Sequence, residues 1–350
     1  MIVEDITTHQ SYIESQGIPI IRDFSIPNLK DIEVKPWERM GVSGAFVVLE
    51  GTEEVNDAYV LEIPPGGNTL LEHHMFEEIA YVLSGRGAAV IWNREAAKRT
   101  FEWQEGSLFA IPLNAWHQFF NIHGSEEARL FIVSSAPMAM NFYRSIDFAF
   151  NDSYIFTERF DGRENFFRTE GEALPGRTWK TNFVPDVRSF PLVEWASRGA
   201  GGISRRFDFA GANSWAHISQ FPVATYKKAH RHGPGANVVI ITGEGYSLLW
   251  PAGKERERVK VDWKPGSLLV PPNMFFHQHF NVGATPARYL AIHKPKLAAY
   301  QPRTYVSVID RDIKKGGGQI EYADEDPAIR ALFMSELAKR GVEMRMPAPK

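Results

Sequence analysis

Short runs of β-branched, aromatic and small apolar residues recur along two stretches of the chain. Gly44–Leu49, Ala58–Ile63, Glu78–Leu83 and Gly87–Trp92 are four such runs, separated by Gly, Pro, Asn or charged residues. Runs of this length with this punctuation predict strands joined by tight turns. The rhythm holds from about 43 to 136 and returns from about 206 to 294. Between them it breaks. Phe142–Phe150 reads as helical, and the stretch through Phe166, Phe167, Pro175, Trp179 and Pro185 reads as a long aromatic connection that wraps the domains. Residues 1–35 read as a short helix or arm followed by an extended segment. Near the other end, Asp326 ahead of Pro327 predicts the start of a helix, with a capping carboxylate and a proline in the first turn. A parallel sheet needs crossover helices between its strands, and no segment of suitable length supplies them.

The two stretches are copies of one pattern. His74 to His232, Gly85 to Gly243 and Trp92 to Trp250 are each 158 positions apart. Gly106 to Gly266, His117 to His277 and Asn121 to Asn281 are each 160 apart, so a two-residue insertion separates the two sets. Evenly spaced short strands with Gly/Pro turns, written twice, predict an all-β chain of two small barrels.

Composition narrows the class. A chain of 350 residues can bury two cores. Its 39 Lys+Arg against 42 Asp+Glu leave no basic stripe, so no nucleic-acid partner is expected. It has no Cys, which removes disulfides, thiolate metal sites and a Cys nucleophile. Met1–Gln16 carries Glu4 and Asp5 without an apolar core, and no apolar run approaches a membrane span. A cytoplasmic protein without signal peptide or membrane contact is the expectation.

The chemistry gathers in the second copy. In a strand, residues i and i+2 face the same side. His230 and His232 therefore point together, as do His277 and His279. If the two strands lie opposite one another, three or four imidazoles converge, a donor set suited to Fe, Zn, Cu or Ni.

This pattern resembles the cupin superfamily and, because it occurs twice, the bicupins. His230 and His232 match the paired histidines of the first cupin motif, and Gly243 its closing glycine. Gly266, Pro272, His277 and Asn281 match the second motif, with Met274 where a glycine usually stands. Ala236 occupies the position of the motif's glutamate. The resemblance implies two tandem jelly-roll (double-stranded β-helix) barrels with helical and irregular connecting and terminal segments. The expected division is an arm at 1–35, a barrel at 36–137, a connection at 138–205, a barrel at 206–297 and a tail with a helix at 298–350.

Within the superfamily, paired histidines without the glutamate are similar to gentisate and salicylate 1,2-dioxygenases. That resemblance implies Fe(II), with Mn, Zn or Ni as alternatives, held by His230, His232 and His277, with His279 near the substrate as hydrogen-bond partner or acid/base. It implies an extradiol-type, ring-cleaving oxidoreductase that takes O₂ and a small hydroxylated aromatic acid. The match departs from those enzymes in placing the full set in the second barrel and in carrying Phe280 where they have glycine. The alternatives are a metal-dependent lyase, isomerase or hydrolase that does not use O₂, and a non-enzymatic bicupin that binds a small acid. A homo-oligomer, dimer or tetramer, is the family-level expectation.

The first copy aligns Glu72 with His230 and Glu78 with Ala236. Glu72, His74, Glu78 and His117 form a possible second metal site, with His73 pointing away; the plainer reading is a barrel kept as scaffold. Among other residues, His9 and His123 read as surface and Lys227-Lys228 as a solvated turn. Arg288 reads as solvated, His217 as a satisfied barrel-rim residue, and Trp215, Tyr226 and Trp250 as core.

Overall fold

The computed structural model describes residues 6–52, 54–93, 98–209, 211–295 and 309–346. It is dominated by strands arranged in two barrels of the same design. In the first, a large sheet holds Val42–Val47, Asp57–Ile63, Ala128–Ser134, Glu78–Ser84 and Leu108–Ile111, in that spatial order. A small sheet of Trp116–Asn121, Arg86–Trp92 and Arg99–Gln104 closes it. In the second, Ile203–Phe209, Trp215–Phe221, Ala287–His293, Ala236–Thr242 and Leu268–Leu269 follow one another in the large sheet. The small sheet is Val259–Trp263, Gly245–Trp250 and Phe276–Asn281.

Strand alternation explains why so many of these runs are apolar throughout. In Ala128–Ser134, Leu130 and Ile132 enter the first barrel's core, whereas Phe131 and Val133 join a second cluster. That second cluster also contains Phe207, Ala216, Ile218, Leu290 and Ile292 from the other barrel. The large sheets therefore pack against each other through their outer faces, and the central strands such as Ala128–Ser134 and Ala287–His293 are buried on both faces along most of their length.

The two connecting arms lock this arrangement reciprocally. Ser25–Ile26, ahead of the first barrel, pairs with Leu268–Leu269 of the second. Phe183–Val184, ahead of the second barrel, pairs with Phe109 and Leu108 of the first. Ser267 Oγ donates to the Pro27 carbonyl at 2.7 Å, and Ser107 Oγ to the Pro185 carbonyl at 2.8 Å. Gly106 and Gly266 have φ of 90° and 91°. A Cβ there would stand 2.4 Å from Asp186 Oδ1 and 2.3 Å from Asn28 Oδ1 respectively, so only glycine lets each arm approach.

The helical expectations divide in detail. The stretch after the first barrel forms two helices, Ala136–Tyr143 and Ile146–Asn151, broken where Arg144 takes a left-handed φ of 52°. The C-terminal helix is Pro327–Ala338, and the Asp326 side chain accepts from the Ala328 amide. Among the described residues no helix is long and apolar enough to cross a membrane.

Candidate metal centres

Each barrel gathers its candidate ligands through the same backbone device. In the second, His230 and His277 exchange backbone hydrogen bonds of 3.1 and 2.8 Å across an isolated antiparallel bridge. In the first, Glu72 and His117 make the same pair at 3.1 and 2.8 Å. The turn before the last histidine is shared too: Met274 and Asn114 adopt φ of 58° and 53°, the left-handed region that favours glycine. The motif asparagines are ties rather than ligands. Asn121 Nδ2 donates to the Ile63, Pro64 and Glu126 carbonyls, and Asn281 Nδ2 to those of Pro222 and Thr285.

In the second barrel, His230, His232 and His277 each offer a ring nitrogen, and these lie within 4.8 Å of one another. His232 Nδ1 meets the Gly233 carbonyl at 2.8 Å, and His277 Nδ1 the Phe275 carbonyl at 3.2 Å. A carbonyl only accepts, so each Nδ1 carries the proton and each Nε2 keeps its lone pair. His230 Nδ1 is buried with no hydrogen-bond partner. Burial, reinforced by Arg198, holds His232 down at about 4, and burial pushes His230 and His277 well below the ordinary imidazole range. Neutral, buried imidazoles with free or orphaned nitrogens fit a divalent first-row ion.

In the first barrel, His74, Glu78 and His117 converge within the same 4.8 Å limit. His74 Nδ1 meets the Phe76 carbonyl at 2.9 Å and His117 Nδ1 that of Ala115 at 3.1 Å, which again frees each Nε2. His74 Nε2 stands 3.2 Å from Glu78 Oε2. Burial works against charge on both, but their mutual attraction outweighs it: His74 is raised and Glu78 lowered from their ordinary values. Burial and the neighbouring His74 hold His117 at about 4. Glu72 does not join the cluster. Its carboxylate is bound by Arg39 at the mouth of an open groove of about 960 Å³. Behind that pair lies a cavity of about 30 Å³, room for little more than water, bordered by His74, Glu78 and His117. His73 points away, its ring tilted against Trp116 with centroids 3.8 Å apart.

Around the three histidines the second barrel is polar. His279 Nδ1 meets Ser247 Oγ at 2.7 Å, and Ser247 Oγ accepts from Trp263 Nε1 at 3.0 Å. Ser247 Oγ therefore bridges the Trp263 indole and the His279 ring and fixes the orientation of the imidazole. His217 Nδ1 and His293 Nε2 share a hydrogen bond of 2.9 Å, and the His293 ring stacks on Trp215 at 3.8 Å.

Besides Glu72, three further sequence expectations fail. Lys227 is not in a solvated turn: it is fully buried, its ammonium bonded to Ser219 Oγ and 3.3 Å from the Tyr289 hydroxyl. His9 is not on the surface; it is buried, with Nε2 2.7 Å from Asp57 Oδ2. Arg288 is not solvated but buried, bonded to Gln220 Oε1 and the Phe190 carbonyl. A Lys-Lys pair between strands has the composition of a surface turn, and only the barrel's closure turns one of the two inward. The alternation of the flanking strands carries no signal for it.

Comparison with known proteins agrees with the geometry. Residues 59–134 match the cupin domain family. Over 139 residues, 37% of this chain and 71% of the relative, the sequence is 28% identical to auxin-binding protein T85 of Nicotiana tabacum. Over 123 residues, 34% of this chain and 58% of the relative, it is 27% identical to auxin-binding protein 4 of Zea mays. Across both barrels the structure resembles oxalate decarboxylases. The formate complex of the Lactobacillus farciminis enzyme superposes with a TM-score of 0.53 at 12% identity, covering 84% of this chain and 95% of that one. The Bacillus subtilis enzyme, in work on its Mn(II) centres, gives 0.51 at 16% identity over 85% and 86%. At such identities the likeness is one of fold: two tandem cupin barrels. The expected likeness to gentisate and salicylate dioxygenases receives no support from these matches.

Proposed function

We propose that the chain is a metal-dependent enzyme of the lyase, isomerase or hydrolase class that acts without O₂ on a small carboxylic acid. Its reactive centre is His230, His232 and His277. The observation that carries this reading is the charge inside the second barrel. Lys227 is completely buried there, and no described carboxylate lies within ion-pair distance of it. Burial and the nearby Arg198 press its ammonium well below the ordinary lysine range. A buried lysine without an ion pair, pressed towards its neutral form, regains its proton and a charge partner together when an anion binds, so this interior suits an anionic substrate. The shared fold with oxalate decarboxylases, which act on a small dicarboxylate, supports the same class.

A divalent ion, Mn(II) or Fe(II), would supply Lewis-acid polarisation of the bound carboxylate or carbonyl. The chain's own groups do the rest. His230, His232 and His277 would hold the ion as neutral donors and leave its charge uncancelled. His279, held by Ser247 and kept neutral by burial, stands beside the substrate as a hydrogen-bond partner. In the first barrel, His74, Glu78 and His117 form a second candidate centre, where a carboxylate would offset part of the ion's charge.

One observation favours the ring-cleaving dioxygenase as a second reading: Ala236 stands where a carboxylate ligand would, leaving three neutral donors. Oxygen dependence separates the two. Full-length protein loaded with Mn(II) or Fe(II) is incubated anaerobically with oxalate, malonate and 2-oxo acids, and aerobically with gentisate and salicylate. Product formation without O₂ is expected. Oxygen uptake matched to loss of gentisate or salicylate would overturn the reading, and saturable binding without turnover of any acid would make the protein an acid-binding bicupin.

A further inference from the structure

The groups around Lys227 form a subsite distinct from the three-histidine cluster. Its Nζ is bonded to Ser219 Oγ and lies 3.3 Å from Tyr289 Oη. Ser219 and Tyr289 are register partners on neighbouring strands, so both hydroxyls reach into the barrel from one sheet. The aromatic walls are close: Nζ stands 5.1 Å from the Tyr289 ring centre, 5.2 Å from Trp195 and 5.4 Å from Phe221. The subsite adjoins the candidate metal centre through contacts on the same interior face. The Tyr289 ring is 5.3 Å from His279, and His279 is 5.7 Å from His277. The Lys227 amide also donates to the His279 carbonyl at 3.0 Å, which ties the lysine to the strand that carries His277.

A buried lysine normally has an acidic partner. Arg198, a buried cation whose charge reaches Lys227, has one: its guanidinium is 3.2 Å from Asp310 Oδ1. Lys227 bonds only to hydroxyls, which cancel no charge, and the Asp310 carboxylate that pairs with Arg198 acts on it only from beyond ion-pair distance.

We infer that Lys227 anchors a second anionic group of the substrate, so that the second barrel selects small dianions, dicarboxylates above all, with one carboxylate at the histidine centre and the other on Lys227. This rests on the second barrel being the substrate site. Ser219 and Tyr289 are positioning residues that aim the ammonium. The missing counter-charge is then supplied by the ligand, and the desolvation of Lys227 becomes a means of rejecting monoanions: an acid with a single carboxylate leaves the cation unpaired.

The test uses full-length Co(II)-loaded protein, read by the absorption of the metal. It is titrated with oxalate, malonate and succinate, and with acetate as the monoanion. For the wild type, at least one dicarboxylate should bind about tenfold or more tightly than acetate, the discrimination expected of one charge-assisted hydrogen bond in a dry site. Lys227→Met should abolish that preference while cobalt content stays at the wild-type level. Tyr289→Phe, which keeps the packing and removes one hydroxyl, should reduce it several-fold. Equal binding of dicarboxylates and acetate by the wild type, or an undiminished preference in both variants, would overturn the anchor and leave the second barrel as the substrate site. If no carboxylate of either kind perturbs the cobalt spectrum, the proposed function itself fails.

Discussion

The two barrels share a backbone and differ in what they line it with. At equivalent interior positions the first has Tyr59, Leu61, Ala89, Phe119 and Leu130; the second has His217, Ser219, Ser247, His279 and Tyr289. Leu61, Ala89, Phe119 and Leu130 belong to the first barrel's hydrophobic core, and the cavity at His74, Glu78 and His117 is small, about 30 Å³. In the second, those positions carry hydroxyls and imidazoles. The first barrel's cluster includes its own carboxylate, Glu78, whereas the second has Ala236 at that place and a buried lysine without a counter-ion. Duplication thus produced one barrel whose charges are balanced internally and one whose charges await a ligand. The proposed assignment of substrate chemistry to the second barrel rests on this difference, and each experiment below presses on that contrast.

The largest contrast is in acid. In the second barrel, burial holds His232 at about 4, and burial with Lys227 and Arg198 holds His279 at about 3, against an unfolded value near 6.5. The unfolded chain therefore binds more protons below pH 6.5, and stability falls as pH drops from 6.5 towards 4. At about 1.4 kcal/mol per pKa unit, the two together cost several kcal/mol by the lower end. In the first barrel His74 is raised, so its contribution is present below 6.5 and is lost as pH rises through its folded value; the depressed His117 offsets part of this. In chelator-treated protein taken from pH 7 to 5, hydrogen exchange should reach Trp215–Phe221 and Phe276–Asn281 before Asp57–Ile63 and Trp116–Asn121. Earlier opening of the first barrel would break the contrast.

Giving the second barrel the first barrel's carboxylate tests the same difference in charge. Ala236→Glu places an anion beside the three histidines. Metal affinity should rise, while turnover of an anionic substrate should fall by about a hundredfold, roughly 2.7 kcal/mol of lost electrostatic stabilisation. Steady-state rates with measured metal content decide it; an unchanged or faster rate would mean that the missing carboxylate is incidental.

A smaller effect comes from Ser247→Ala, which makes the second barrel match Ala89 of the first. It strands His279 Nδ1 and Trp263 Nε1 together. A stability loss of about 1–3 kcal/mol is expected by denaturant titration, with a tenfold or smaller loss in rate. Stability equal to the wild type would show that the serine orients nothing.

Much of this contrast was legible in the sequence, because it resides in residues whose type alone bears on chemistry. The constant offset, the alternating histidines, and Ala236 opposite Glu78 needed no coordinates. The arms were not legible: Ser25–Ile26 and Phe183–Val184 are two-residue strands, too short to show a period, and their pairing depends on glycines far away in the chain. Nor was the inward lysine. Lys227 and Lys228 are chemically identical neighbours, and only closure of the barrel buries the first while the second pairs with Glu321. His9 was hidden for a similar reason, since its partner Asp57 lies 48 residues along the chain. Glu72 aligned with a ligand position, and its backbone does sit there, but Arg39 takes its carboxylate from a separate segment.

The most direct test of the central claim is metal content and anaerobic turnover measured side by side in His232→Ala and His74→Ala. His232→Ala should lose one ion per chain and essentially all turnover. His74→Ala should keep the second-barrel ion and most of the rate. Turnover that survives in His232→Ala and vanishes in His74→Ala would place the chemistry in the first barrel and contradict the account.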